Sequence, residues 1–111
     1  SATRWNVKVS PMTQEEALKL LADSRAKIDE IDLQILKLLN ERTSAVEHIG
    51  RAKVAAGLPV YEPKREDDVY RNLMENNHGP LPPDAVRRIF ERVMDEMRSL
   101  QRMRREQKGQ Q

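Results

Sequence analysis

The chain of 111 residues has no cysteine, only four glycines, and a single tryptophan and a single phenylalanine. Without cysteine it has neither a disulfide framework nor a zinc site built from thiolates, which suits a reducing compartment and predicts a cytoplasmic location. No apolar run approaches the roughly 20 residues of a transmembrane helix, so no membrane association is expected. The formal net charge of +2 is nearly balanced, which argues against a general affinity for nucleic acid.

Charge, in contrast, is abundant, because 34% of the residues are Asp, Glu, Lys or Arg. Lys, Arg, Glu, Leu and Ala alternate between few turn-forming residues, and this composition is typical of a helical bundle or coiled coil. The length allows one domain with a small hydrophobic core. The sequence therefore predicts an all-α protein.

The first predicted helix is unusually long. Thr13 and Glu16 have the spacing of a capping box, which marks a helix start. Gly57 and Pro59 end the helix after Ala56. Its more than 40 residues would span about 64 Å at 1.5 Å per residue. A helix of that length exceeds a compact monomer of this size, so we expect a second copy of the chain along it.

Two shorter helices are predicted to follow. One begins at Pro63 and ends between Asn76 and Pro80, and the next opens at Pro82 and Pro83. The apolar row of the third helix consists of Val86, Ile89, Phe90, Val93, Met94, Met97 and Leu100, and Gln101 continues it. We therefore predict a three-helix protomer with a flexible arm over 1–12, a helical domain over 13–103 and a basic, Gln-rich tail over 104–111. From Arg102 onward the tail is expected to be disordered.

Cations interrupt the apolar face of the first helix. This face, predicted to be buried, consists of Ile28, Ile31, Ile35, Leu38, Leu39, Ala45, Val46, Ile49 and Ala52. Arg42 stands in the heptad row between Ile35 and Ile49, and Lys53 follows Val46 by seven residues. Buried cations must be neutralised, either by an internal carboxylate or by an anionic ligand.

Helix geometry brings two of these cations together. Arg42 and Lys53 are 11 residues apart, so they point within about 20° of one another and are separated by about 16 Å along the axis. Both can reach one small anion. Arg25 lies about 25 Å before Arg42 and could join them only from an antiparallel partner helix. Glu62 and Glu66, one turn apart, share a face at the start of the second helix.

Each of these residues also has a purely structural interpretation. Arg42 alone would more often form an interior salt bridge, Lys53 could extend towards solvent near a helix end, and Gln101 could set helix register. One hypothesis is therefore a non-enzymatic dimeric helical module, in which replacing Arg42 by Leu would be neutral or stabilising.

Four spaced motifs in this chain resemble those of the AroQ-class chorismate mutases. They are R-x-x-I-D-x-x-D at 25–32, L-L-x-E-R at 38–42, G-x-x-K at 50–53 and P-V-x-D/E-x-x-R-E at 59–66. The resemblance covers about residues 20–101. It implies an intertwined all-helical homodimer that rearranges chorismate to prephenate on the route to Phe and Tyr, without a metal or cofactor. Each of its two sites would take Arg25 from the partner chain.

The resemblance also implies roles for individual residues. Arg25 and Arg42 match the arginines that bind the two substrate carboxylates, and Arg65 matches a second-line arginine. Lys53 and Gln101 match the groups at the ether oxygen. Glu66, helped by the backbone near Glu62, matches the group that binds the ring hydroxyl. Met97 departs from the family pattern, since related enzymes often have a small polar residue there, and Glu62 stands where Asp is common.

Two further functional possibilities follow from the resemblance. An isochorismate-pyruvate lyase of the same fold would use the same cations on an isomeric dianion. The chain could also be the mutase part of a larger enzyme, fused to or associated with another enzyme of the pathway, such as a dehydratase, dehydrogenase or synthase.

Overall fold

The computed structural model describes residues 11–109, and this part of the chain consists of three helices and their connections. They are α1 over Gln14–Ala56, α2 over Pro63–Asn76 and α3 over Pro83–Gly109. The predicted all-α, three-helix protomer is therefore confirmed. None of the helices within 11–109 is long and apolar enough to cross a membrane. The predicted arm lies largely outside the described residues, and the domain boundaries stay predictions.

The ends of α1 are set by the local signals in the sequence. The backbone N–H of Glu16 donates to Thr13 Oγ1 at 3.0 Å, and the backbone N–H of Thr13 donates to Glu16 Oε1 at 3.1 Å, as a capping box requires. At the other end Gly57 has φ of 71°. The Leu58 N–H donates to the Lys53 carbonyl at 2.8 Å and the Gly57 N–H to the Val54 carbonyl at 3.2 Å. This is a Schellman motif, which reverses the chain direction after α1.

The chain divides into two units, residues 1–40 and 41–111. In the first unit the described apolar residues are mostly exposed, including Ile28, Ile35 and Leu38 at 54%, 49% and 61%. The single chain therefore leaves this part of the apolar face uncovered, and its burial, expected with a second copy of the chain along the helix, stays a prediction. In the second unit it holds for Val46, which is buried, but Ala45, Ile49 and Ala52 stay exposed.

The core of the second unit is built around α3, which packs against α2 and also contacts the second half of α1. Val86, Met94 and Met97 of α3 are buried, and Thr43 Oγ1 of α1 contacts Met97 Sδ at 3.6 Å. These three members of the row predicted for α3 are thus confirmed as buried. Ile89 is not, since it remains 49% exposed.

The prediction of a disordered tail after Arg102 is wrong for residues 102–109, because α3 continues to Gly109. Two basic side chains of this segment have partners. Arg104 Nε donates to Glu47 Oε2 at 3.2 Å, and Arg105 Nη2 donates to the Leu58 carbonyl at 2.7 Å. These contacts hold the last turns of α3 against the end of α1 and the loop that follows it.

Candidate active site

The end of α1, the start of α2 and the middle of α3 line a cavity of about 450 Å³. This size is within the range of small-molecule sites. Seven of the eight predicted site residues line it: Arg42, Lys53, Glu62, Arg65, Glu66, Met97 and Gln101. Arg25 is the exception, since it is exposed in the first unit.

Lys53 is the most fully enclosed cation of this cavity, with 9% of its surface exposed. Its Nζ donates to the Val60 carbonyl at 2.7 Å and to Gln101 Oε1 at 3.3 Å. It also lies 3.2 Å from a carboxylate oxygen of Glu62. The chain reversal at Gly57 accounts for this arrangement, because it returns the loop over the last turn of α1. Lys53 is therefore neutralised from within the chain and held in one position.

Glu62 occupies the N-cap position of α2 but does not cap that helix with its side chain. Pro63 follows it at the first helical position, where a missing N–H costs nothing. The Glu62 carboxylate pairs with Lys53 instead of binding free N–H groups of its own helix. The side chain at the N-cap position thus serves the cavity rather than the helix.

Gln101 is buried at 8% exposure, which confirms the predicted inward direction of its amide. Its Oε1 accepts the hydrogen bond from Lys53, so its NH₂ group remains available as a donor. Lys53 and Gln101 together present cationic and neutral N–H donors at one end of the cavity.

Arg42 is held differently from Lys53. It is partly buried, and burial lowers the pKa of its guanidinium, which the positive charge of Arg65 lowers further. An arginine remains charged at neutral pH despite such shifts. Within residues 11–109 no carboxylate forms an ion pair with Arg42. Arg42 thus differs from Lys53, whose partners lie within the chain.

Arg98 is a cavity residue that the sequence analysis missed. Its Nη1 donates to Glu66 Oε1 at 2.6 Å and to Glu66 Oε2 at 2.5 Å. The hydrogen bond to Glu66 raises the pKa of Arg98, against a smaller opposing effect of burial. A signal for it exists in the sequence, because Arg98 follows Met94 by four residues and precedes Gln101 by three, which places it beside the buried row.

The charges of the cavity have an excess of one sign. Four cations, Arg42, Lys53, Arg65 and Arg98, face two carboxylates, Glu62 and Glu66, which leaves two positive charges in excess. Among residues 11–109 no cluster of three His, Asp or Glu side chains could hold a metal ion. The fold and the cavity thus define an all-α protein with a site suited to a small organic dianion.

Comparison with protein families agrees with this class. The family model described as chorismate mutase type II matches residues 24–102. The chain therefore belongs to the type II chorismate mutase family, and the family predicted from the four motifs is confirmed.

The relatives and solved structures are consistent with this assignment. The chain is 43% identical over 84 residues to the bifunctional chorismate mutase/prephenate dehydratase of Neisseria gonorrhoeae, which is 76% of this chain and 23% of that protein. It is 32% identical over 87 residues to the chorismate mutase of Methanocaldococcus jannaschii. This match covers 77% of this chain and 87% of that protein. The form II structure of chorismate mutase from Thermus thermophilus superposes with a TM-score of 0.72 at 34% identity, over 74% of this chain and 93% of that chain. The chain thus spans only about a quarter of the length of its bifunctional relative.

Proposed function

We propose that this chain catalyses the rearrangement of chorismate to prephenate, on the route to phenylalanine and tyrosine. The observation that carries the proposal is Arg42, a partly buried cation beside Arg65 that lacks a carboxylate partner among the described residues. Chorismate carries two carboxylates, which suit the excess of positive charge in the cavity. Membership of the chorismate mutase family supplies the reaction.

The active form proposed is an intertwined homodimer with two equivalent sites. The exposed isoleucines and leucines of α1 support this, because a second copy would bury them and gain about 2 kcal/mol per large side chain. Arg25 is exposed on the same helix. In an antiparallel dimer the partner's Arg25 would complete the cavity that contains Arg42.

The binding roles follow from the charges. Arg42 and the partner's Arg25 would each hold one substrate carboxylate through paired N–H donors, with Arg65 as a second-line arginine. Glu66, with backbone groups near Glu62, would accept the hydrogen bond of the ring hydroxyl. Met97 lies where related enzymes often have a small polar residue, so it would contribute packing rather than a hydrogen bond.

The chemistry needs no nucleophile and no external proton donor. In one molecule the ether C–O bond breaks while a new C–C bond forms, and negative charge builds on the ether oxygen. Lys53 Nζ and the Gln101 NH₂ group would donate to that oxygen. Because the Val60 carbonyl and the Glu62 carboxylate hold Lys53 in place, little reorganisation is required. We expect about 3 kcal/mol of barrier lowering from such a preorganised donor.

Conformational restriction supplies a second part of the catalysis. Free chorismate is flexible, and the reaction requires a compact, chair-like conformer with the bond-forming carbons close together. Opposed arginines at the two carboxylates and a carboxylate at the ring hydroxyl would fix three points of the substrate. Holding reacting atoms in contact geometry removes much of the entropic part of the barrier.

The proposal extends to partner enzymes and location. Two relatives named bifunctional chorismate mutase/prephenate dehydratase match this chain over 23% and 24% of their own lengths. We therefore propose a fused or associated enzyme that acts on prephenate. A cytoplasmic location also stays a prediction, and the lack of cysteine is compatible with it.

The test is incubation of the purified protein with chorismate, with the products identified by chromatography. Rapid formation of prephenate, and its loss in the Lys53→Ala variant, is the expected result. If chorismate persists and isochorismate is converted to salicylate and pyruvate, the protein is a lyase of the same fold. If neither substrate reacts while the protein is folded and dimeric, the proposal is wrong and the non-enzymatic module is favoured.

A further inference from the structure

We infer that Arg98 is a positioning residue for the substrate: it holds the Glu66 carboxylate in place and cancels the charge that Glu66 presents to a dianion. The inference rests on the proposed function, in which Glu66 accepts the ring hydroxyl. It adds a residue to that site, and it explains why a carboxylate is tolerated in a cavity built for an anion.

The geometry of the pair is the first support. A single nitrogen of Arg98 contacts both carboxylate oxygens of Glu66, at 2.6 and 2.5 Å. Each side chain is 21% exposed, so the pair lies partly out of water, where charges interact more strongly than at the surface. Glu66 belongs to α2 and Arg98 to α3, and both line the cavity. The ion pair thus links two walls of the site.

Arg98 is itself fixed on its other sides. Its Nη2 lies 3.4 Å from Asp95 Oδ1, and its guanidinium carbon lies 5.5 Å from the centre of the Tyr61 ring. Tyr61 stands in the loop that also presents the Val60 carbonyl to Lys53. A guanidinium held by three groups keeps its partner carboxylate in one orientation.

Electrostatics gives the reason for the pair. A lone carboxylate at Glu66 would repel a substrate that carries two negative charges. Pairing with Arg98 removes that repulsion, while the carboxylate, which has about four lone-pair positions, still has room to accept a hydroxyl hydrogen. Without Arg98 the cavity would have one positive charge in excess instead of two. Arg98 therefore lets Glu66 recognise a hydroxyl without weakening anion binding.

The experiment compares steady-state kinetics with chorismate for the full chain and four variants: Arg98→Met, Arg98→Lys, Glu66→Gln, and the double variant Arg98→Met/Glu66→Gln. Arg92→Met is the matched control, because Arg92 lies on the same helix in an exposed pair with Glu96.

We expect Arg98→Met to raise KM about tenfold or more, with a smaller change in kcat, since a hydrogen bond to a charged group is lost and repulsion appears. Arg98→Lys should raise KM less. The double variant should have a lower KM than Arg98→Met, because it removes the unpaired carboxylate.

Three results separate the possible failures. If the unchanged protein and Arg92→Met form prephenate but KM of Arg98→Met stays within twofold of the unchanged protein, the inference alone is overturned. The same holds if the double variant binds substrate no better than Arg98→Met, since the pair would then only join α2 to α3. If the unchanged protein forms no prephenate, the proposed function fails and the inference falls with it. If Arg98→Met does not fold, Arg98→Lys provides the test, because the inference requires its KM to rise more than its kcat changes.

Discussion

The two halves of α1 have the same apolar period but differ in what covers it. Between residues 14 and 40, large apolar side chains such as Ile28 and Leu38 are exposed. Between residues 41 and 56, Val46 and Lys53 are buried, and Arg42 is partly buried beside the cavity. Hydrophobic period therefore indicates which face a helix is suited to bury, but it does not say whether the covering surface belongs to the same chain.

The cations of α1 also differ in how they are held. Lys53 in the second half has two hydrogen-bond acceptors and one ion-pair partner in its own chain, so the single chain fixes its position. Arg42 has no carboxylate partner among residues 11–109, and Arg25 in the first half is exposed. In the proposed function, residues 41–56 supply Lys53 as a preorganised donor, and residues 14–40 supply Arg25 to the site of the partner chain.

The largest effect is expected from Lys53, in the half that contains the buried residues of α1. Lys53→Ala should lower kcat by about a hundredfold or more, because it removes the cation at the ether oxygen. Helicity measured by circular dichroism should change little. Lys37→Ala, an exposed lysine of the same helix, is the control and should retain activity. Near-normal turnover by Lys53→Ala would rule out the mechanism.

The second prediction concerns residues 14–40 of α1, whose large apolar side chains are exposed. The double variant Ile28→Asp/Ile35→Asp should abolish the dimer, because each charge would have to enter an apolar interface that otherwise gains about 2 kcal/mol per isoleucine. Analytical ultracentrifugation measures the association state, and activity should disappear with it. Leu33→Asp is the matched control, since Leu33 is 68% exposed and lies off this row. A stable dimer of the double variant would place the interface elsewhere.

How far the sequence predicts this molecule depends on how local each signal is. The capping box at Thr13, the stop at Gly57 and the start at Pro63 act within a few residues, so the helix boundaries could be read directly. Arg42, Lys53 and Gln101 could be found because each interrupts or extends an apolar row. The length of α1 predicted that a single chain could not cover the whole helix, but the sequence did not predict which part of α1 would remain exposed.

Contacts between helices were the second feature that could not be predicted from the sequence. The pairing of Arg98 with Glu66 joins residues 32 positions apart, and the Val60 carbonyl reaches Lys53 only after the chain has reversed at Gly57. The helical end of α3 was missed for the same reason. A basic, Gln-rich segment resembles a disordered tail until Arg104 and Arg105 find partners on α1 and the following loop.

A third prediction tests whether the two halves of α1 serve different sites. Arg25→Ala and Arg42→Ala should each be nearly inactive. If a site combines Arg42 of one chain with Arg25 of the other, a mixed dimer contains one intact site. Random exchange at equal amounts should then restore about a quarter of the unchanged activity, given a two-fold symmetric dimer. Exchange is verified by mass spectrometry, and exchange without recovered activity would show that the arginines do not share a site across chains.

The smallest effect concerns the start of the first half. Thr13→Ala removes the side-chain acceptor of the capping box and should lower the free energy of unfolding by about 1 kcal/mol, measured by urea denaturation at a fixed protein concentration. Ser24→Ala, in the exposed interior of α1, is the control and should be neutral or slightly stabilising.

The hydrogen bonds with the backbone and then the side chain of Thr13 lower the pKa of Glu16 from its ordinary value of 4.5. A lowered pKa in the folded state means that this stabilisation is present above pH 4.5 and is lost as the pH falls through the folded value. Because Thr13→Ala keeps the backbone N–H that bonds Glu16, the larger part of this pH dependence should remain in the variant. A difference in stability between the unchanged protein and Thr13→Ala that is absent at about pH 7 would mean that packing of the long helix, rather than its cap, determines where α1 begins.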